Sequence, residues 1–70
     1  MKKLYRIIAD YRPNNPVKPK YYVIAYSKQE AKKKFQSLIS WLKIYEIEEV
    51  TKDEDITEII SNPRHYIIIE

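Results

Sequence analysis

Tyrosines interleaved with cations are the first pattern in this chain that could do chemistry. Tyr5, Tyr11, Tyr21, Tyr22 and Tyr26 stand among Lys2, Lys3, Arg6, Arg12, Lys18 and Lys20. Aromatic rings stack on nucleobases and cations neutralise phosphates, so a two-stranded surface carrying both would suit RNA or DNA. The contact residues on that reading are Arg6, Arg12, Lys18, Lys20, Tyr5 and Tyr22. The competing reading is structural: tyrosines are good strand formers that bury their rings in a small core. It is preferred, because neither an RNP-type aromatic motif nor a GXXG loop is present.

A second set of residues suits a protein contact. At 100° per residue Trp41 falls at the margin of an apolar helical stripe, on the same side as Lys34. A marginal Trp is either the edge of a core or the anchor of an interface, and the core edge is the preferred reading. Arg12, Asn14 and Asn15 lie in a loop with three prolines, and its stiffness would lower the entropy cost of binding. Lys32, Lys33 and Lys34 fan around a helix and form no single patch.

Catalytic chemistry is poorly supplied. There is no Cys, and the lone His65 follows Pro63-Arg64 without an identifiable hydroxyl or carboxylate partner. A glycine-rich phosphate loop is excluded, because the chain has no Gly. Glu46, Glu48, Glu49, Asp53, Glu54, Asp55 and Glu58 could attract a hard cation, but their spacing does not match a calcium loop. They read as a solvated face and helix-start acids. The expectation is a non-enzymatic protein with no cofactor and no metal.

The elements that must position these residues fit in one small domain, residues 1–70. Such a chain buries only about 60 % of the surface its unfolded form exposes, which is compatible with a homodimer. Twelve isoleucines and seven tyrosines supply the apolar mass. No apolar run approaches the roughly 18 residues of a membrane span, and Arg6 and Asp10 interrupt any signal-peptide core. A soluble, cytoplasmic protein with no membrane partner is expected. Residues 1–34 carry ten Lys and Arg against Asp10 and Glu30, whereas residues 35–70 carry Lys43, Lys52 and Arg64 against eight acids. The halves therefore either present a bipolar surface or attract each other once folded.

Alternation predicts strands over 2–10 and 20–26, joined by the loop 11–19 and antiparallel to one another. Ser27-Lys-Gln-Glu30 is a capping box that opens a helix. Its stripe is Ala31, Phe35, Leu38, Ile39 and Leu42. Residues 43–50 read as a third strand, with a helical continuation as the alternative. Thr51 or Asp53 caps a second helix whose apolar face is Ile56, Ile59 and Ile60, and Asn62-Pro63 stops it. Residues 65–70 read as a final strand. Lacking Gly, any positive-φ turn should fall on Asn14, Asn15 or Asn62. The expected fold is α+β: a small, mostly antiparallel sheet in the order β-β-α-β-α-β, with one main amphipathic helix packed on a face. The second face must be covered by the second helix or by a partner.

The stretch from Tyr22 to Ala31, with Phe35 and the later Ile47-Glu48-Glu49-Val50, resembles small phage and mobile-element proteins, anti-CRISPR proteins among them. That resemblance implies a protein that works in the host-cell cytoplasm by binding and blocking a larger protein or nucleoprotein. The layout is also similar to the archaeal ribosomal protein LX. That family carries a basic segment between helix and last strand, where this chain has Trp41-Leu42-Lys43-Ile44-Tyr45-Glu46 with one Lys. An inhibitor or adaptor is therefore the leading expectation, with Lys34, Trp41, Arg12, Asn14 and Asn15 as contacts. An RNA- or DNA-binding hairpin is the alternative.

Overall fold

In β1 (Lys3–Asp10) Tyr5, Ile7 and Ala9 are buried on one face, and Leu4 is buried with Arg6 and Ile8 half-buried on the other, so this strand needs a cover on both sides and a neighbour on both edges. The computed structural model, which describes residues 1–12, 14, 16 and 19–70, supplies them. The sheet has four strands in the order β3-β1-β2-β4. β1 pairs antiparallel with β2 (Lys20–Ala25) and with β3 (Lys43–Val50). β4 (Ile68–Ile69) pairs parallel with β2. Helix α1 (Lys28–Leu38) follows β2, and α2 (Asp53–Ser61) follows β3. The α+β class and the order of elements agree with the sequence reading.

Each sheet face has its own core. Tyr5, Ile7 and Ala9 of β1 pack with Val23 and Ala25 of β2 under Ala31 and Phe35 of α1. Phe35 is wholly buried and meets the Tyr21 ring edge-on, with centroids 5.1 Å apart. On the opposite face Leu4, Tyr22 and Val50 pack against Ile59 of α2. The second helix thus covers the face that α1 leaves open.

Strand β3 gains its inner face through an irregularity. Ile47 pairs with Ile7 and Ile44 with Ala9, with a register shift between Ile8 and Ala9. In a regular strand residues three apart point to opposite faces. The bulge at Tyr45 turns both isoleucines toward the α1 core, where they pack as partly buried neighbours.

Helix α1 starts as its sequence directs. Ser27 is extended, and its Oγ accepts the Glu30 N–H at 3.1 Å. Glu30 reaches back one residue further than a regular capping box, accepting from the Tyr26 N–H at 3.3 Å. The helix ends at Leu38, earlier than the stripe through Leu42 implies. Ile39 leaves helical geometry with φ −130° and ψ 78°, while its N–H still donates to the Phe35 carbonyl.

Several boundaries differ from expectation. Lys52, not Thr51 or Asp53, occupies the N-cap of α2, and it makes no side-chain cap bond. Asp53, Glu54 and Asp55 fill the first turn, where the helix dipole favours acids. Asn62 is the C-cap, and its amide donates to the Glu58 carbonyl at 2.6 Å. No described residue has positive φ, so neither Asn14 nor Asn62 serves that role. Asn15 and Lys18 lie outside the described residues. The last strand is much shorter than 65–70, because Asn62 to His65 forms a turn and Tyr66 packs sideways. The Tyr66 ring stands edge-on to Tyr22 at 5.4 Å, and its hydroxyl donates to Glu58 at 3.3 Å. Its phenol is raised above the usual value of 10, by loss of hydration first and by the Glu58 carboxylate second.

The charge halves interleave. Lys3 pairs with Glu49 at 3.6 Å, and Arg6 pairs with Glu48, so basic β1 lies against acidic β3. No helix of the described residues is long and apolar enough to cross a membrane.

Candidate protein-docking surface

The connection between α1 and β3 holds the largest apolar side chain left in water. Residues 39–42 make this turn, and its first and last members, Ile39 and Leu42, are half-buried against the α1 core. Ser40 and Trp41 between them face outward, and Trp41 is 71 % exposed. Leu38, at the last helical position, is 62 % exposed beside it in sequence. Trp41 is therefore not a core edge. Its helical angle ceases to matter once the helix stops at Leu38, and the pinned turn then sets its direction.

Below this turn, α1 and β3 flank a groove of about 630 Å³. Lys28, Lys32 and Gln36 line it from the helix, and Leu42, Lys43, Ile44 and Ile47 from the strand side. The Lys43 ammonium lies 5.4 Å from the centroid of the Tyr45 ring. Sequence reasoning assigned none of these groove residues to a site. Their juxtaposition depends on β3 being an edge strand beside α1, which no local pattern states.

The other expected contacts are spread over the molecule. Lys34 is committed to structure: its Nζ donates to the Ile24 carbonyl at 2.9 Å and pairs with Glu30 at 3.3 Å. Arg12 is exposed beyond the end of β1, with its guanidinium 5.2 Å from the Tyr11 ring centroid. The Arg12 backbone N–H donates to the Asp10 carboxylate, which is only 2 % exposed. Asn14 is exposed in the same loop. This loop follows β1, whereas Trp41 precedes β3, so the two expected contact sets belong to different connections.

The residues expected to bind nucleic acid are also divided. The Tyr5 ring is buried under α1, and the Tyr22 ring is buried on the opposite face. Neither ring offers a free surface to a base. Arg6 is held by Glu48 and by the Tyr22 hydroxyl, the latter at 3.4 Å. The bond to Tyr22 holds the Arg6 proton more firmly than usual, against the opposing effect of burial and with help from Glu48. Lys20 is exposed at the start of β2. Of the rings, Tyr11 and Tyr26 are the exposed ones on the hairpin, at 67 % and 57 %.

No group of three or more His, Asp or Glu among the described residues is placed to hold a metal ion. His65 is exposed in the turn after α2. No protein-family model matches the chain, and no curated protein or solved structure matches it either.

Proposed function

We propose that this chain is a non-enzymatic binding protein, an inhibitor or adaptor that docks on a larger protein or nucleoprotein through the α1–β3 turn. The observation that carries this reading is Trp41, 71 % exposed on a turn fixed by two half-buried neighbours. A large rigid ring presented this way loses little freedom on binding and brings much apolar area out of water. Tryptophan is also among the residues that dominate interface energies. The inhibitor form of the proposal draws on the resemblance to small phage proteins.

A nucleic-acid module is the second reading, favoured by exposed Lys20 and by Arg12 beside exposed Tyr11. Salt separates the two. Phosphate contacts weaken steeply as salt rises, whereas an apolar anchor does not. The test immobilises the native chain and a Trp41→Ala variant, exposes both to cell extract at physiological salt, and identifies what each retains. A protein held by the native chain and lost from the variant is the expected result. Equal retention by both, or retention only of nucleic acid that is released by salt, would overturn the proposal.

A further inference from the structure

We infer that the free edge of β3, with the groove beside it, takes an extended acidic peptide segment of a partner protein as an added strand. This rests on the binding reading above and specifies the partner's chemistry. β3 stands at the end of the sheet, and no fifth strand covers it among the described residues. It spans 8 residues, longer than the roughly 5–6 of an average strand. An added strand would hydrogen-bond to this edge, and its alternate side chains would enter the groove between β3 and α1.

Charge selects the occupant. Exposed Lys28, Lys32 and Lys43 line the groove against a single acid, Glu46. The remaining glutamates of β3 are already answered, Glu48 by Arg6 and Glu49 by Lys3. Half-buried Ile44 and Ile47 give the groove an apolar floor. A second copy of the chain fits poorly, because antiparallel pairing of two β3 edges would set one lysine-lined groove beside the other. The bulge and the charges are devices by which edges avoid unselective pairing. The three groove lysines are what would select an acidic strand.

The test selects a displayed library of random short peptides on the full chain, then maps the winners by amide exchange. Enriched peptides should be rich in Asp and Glu and poor in Pro, and should slow exchange of β3 amides in the unaltered protein. Reversing all three lysines (K28E, K32E, K43E) should weaken them by about tenfold or more, with the thermal transition checked to show the variant folds. Failure to enrich acidic peptides, protection confined to other strands, or sedimentation as a dimer that buries β3 would each overturn the inference. Peptides that need Trp41 but ignore the lysines would remove the groove and leave the binding reading standing. Acidic peptides that protect β3 and ignore Trp41→Ala would keep the groove and remove the anchor.

Discussion

Two aromatic side chains in neighbouring segments have opposite fates. Phe35 is wholly buried and Trp41 is largely exposed. Removing the Phe35 ring deletes the centre of the α1 core and leaves a cavity, at a cost of about 3–5 kcal/mol. That is much of what a domain of this size has to lose. Trp41 has little to lose on folding, so Trp41→Ala should change stability by no more than about 0.5 kcal/mol. Denaturant titration of both variants checks the pair. A Trp41→Ala loss as large as that of Phe35→Ala would place the indole in the core and remove it as an anchor. Spacing makes the stripe Ala31 and Phe35 legible, but carried on to Trp41 it assumes a helix that ends three residues earlier. The tyrosines were harder. Alternation within each strand does not relate Tyr5 to Tyr22; the pairing of Tyr5 with Val23 sets them on opposite faces, and the two helices cover both.

At the scale of elements, α1 is the part that local sequence specifies best. Ser27 and Glu30 cap it, Lys34 ties it to β2, and Phe35 seats it on the sheet. Ser27→Ala removes the acceptor for the Glu30 N–H and should cost about 1 kcal/mol, measured by thermal or urea unfolding. Ser27→Asp should restore most of it, because an aspartate also accepts that bond and favours the positive helix end. A neutral Ser27→Ala would show that the cap contributes nothing in this fold. α2 lacks a comparable cap and relies on first-turn acids and on Ile59. β3 and β4 show what alternation leaves out. The bulge at Tyr45 lets Ile44 and Ile47 share a face, and nothing local announces it. Residues 65–70 look like a full strand, yet contact with β2 starts only at the Ile67 carbonyl, which accepts the Tyr22 N–H, because the turn before it fixes where the chain meets β2.

At the scale of the molecule, the charge asymmetry between the halves is partly consumed inside the sheet. Lys3 and Arg6 face Glu49 and Glu48 across the β1–β3 pairing. These pairs are partly exposed, so each adds little stability, and the lysines around the groove take no part in them. Element order and fold class were readable from sequence because each strand and helix carries its own periodicity. Sheet order was not, and with it went the edge position of β3. The surface proposed for docking is a product of that order.

Docking through the α1–β3 turn is checked by photo-crosslinking with Trp41 left in place. A benzophenone amino acid is placed at Ser40, exposed beside Trp41, in one chain and at Thr57, exposed on α2, in another. Both are irradiated in the same cell extract, and the covalent products are identified. A discrete protein adduct from position 40 and none from position 57 is expected. No protein adduct from position 40, or the same adduct from both positions, would rule out docking through this turn.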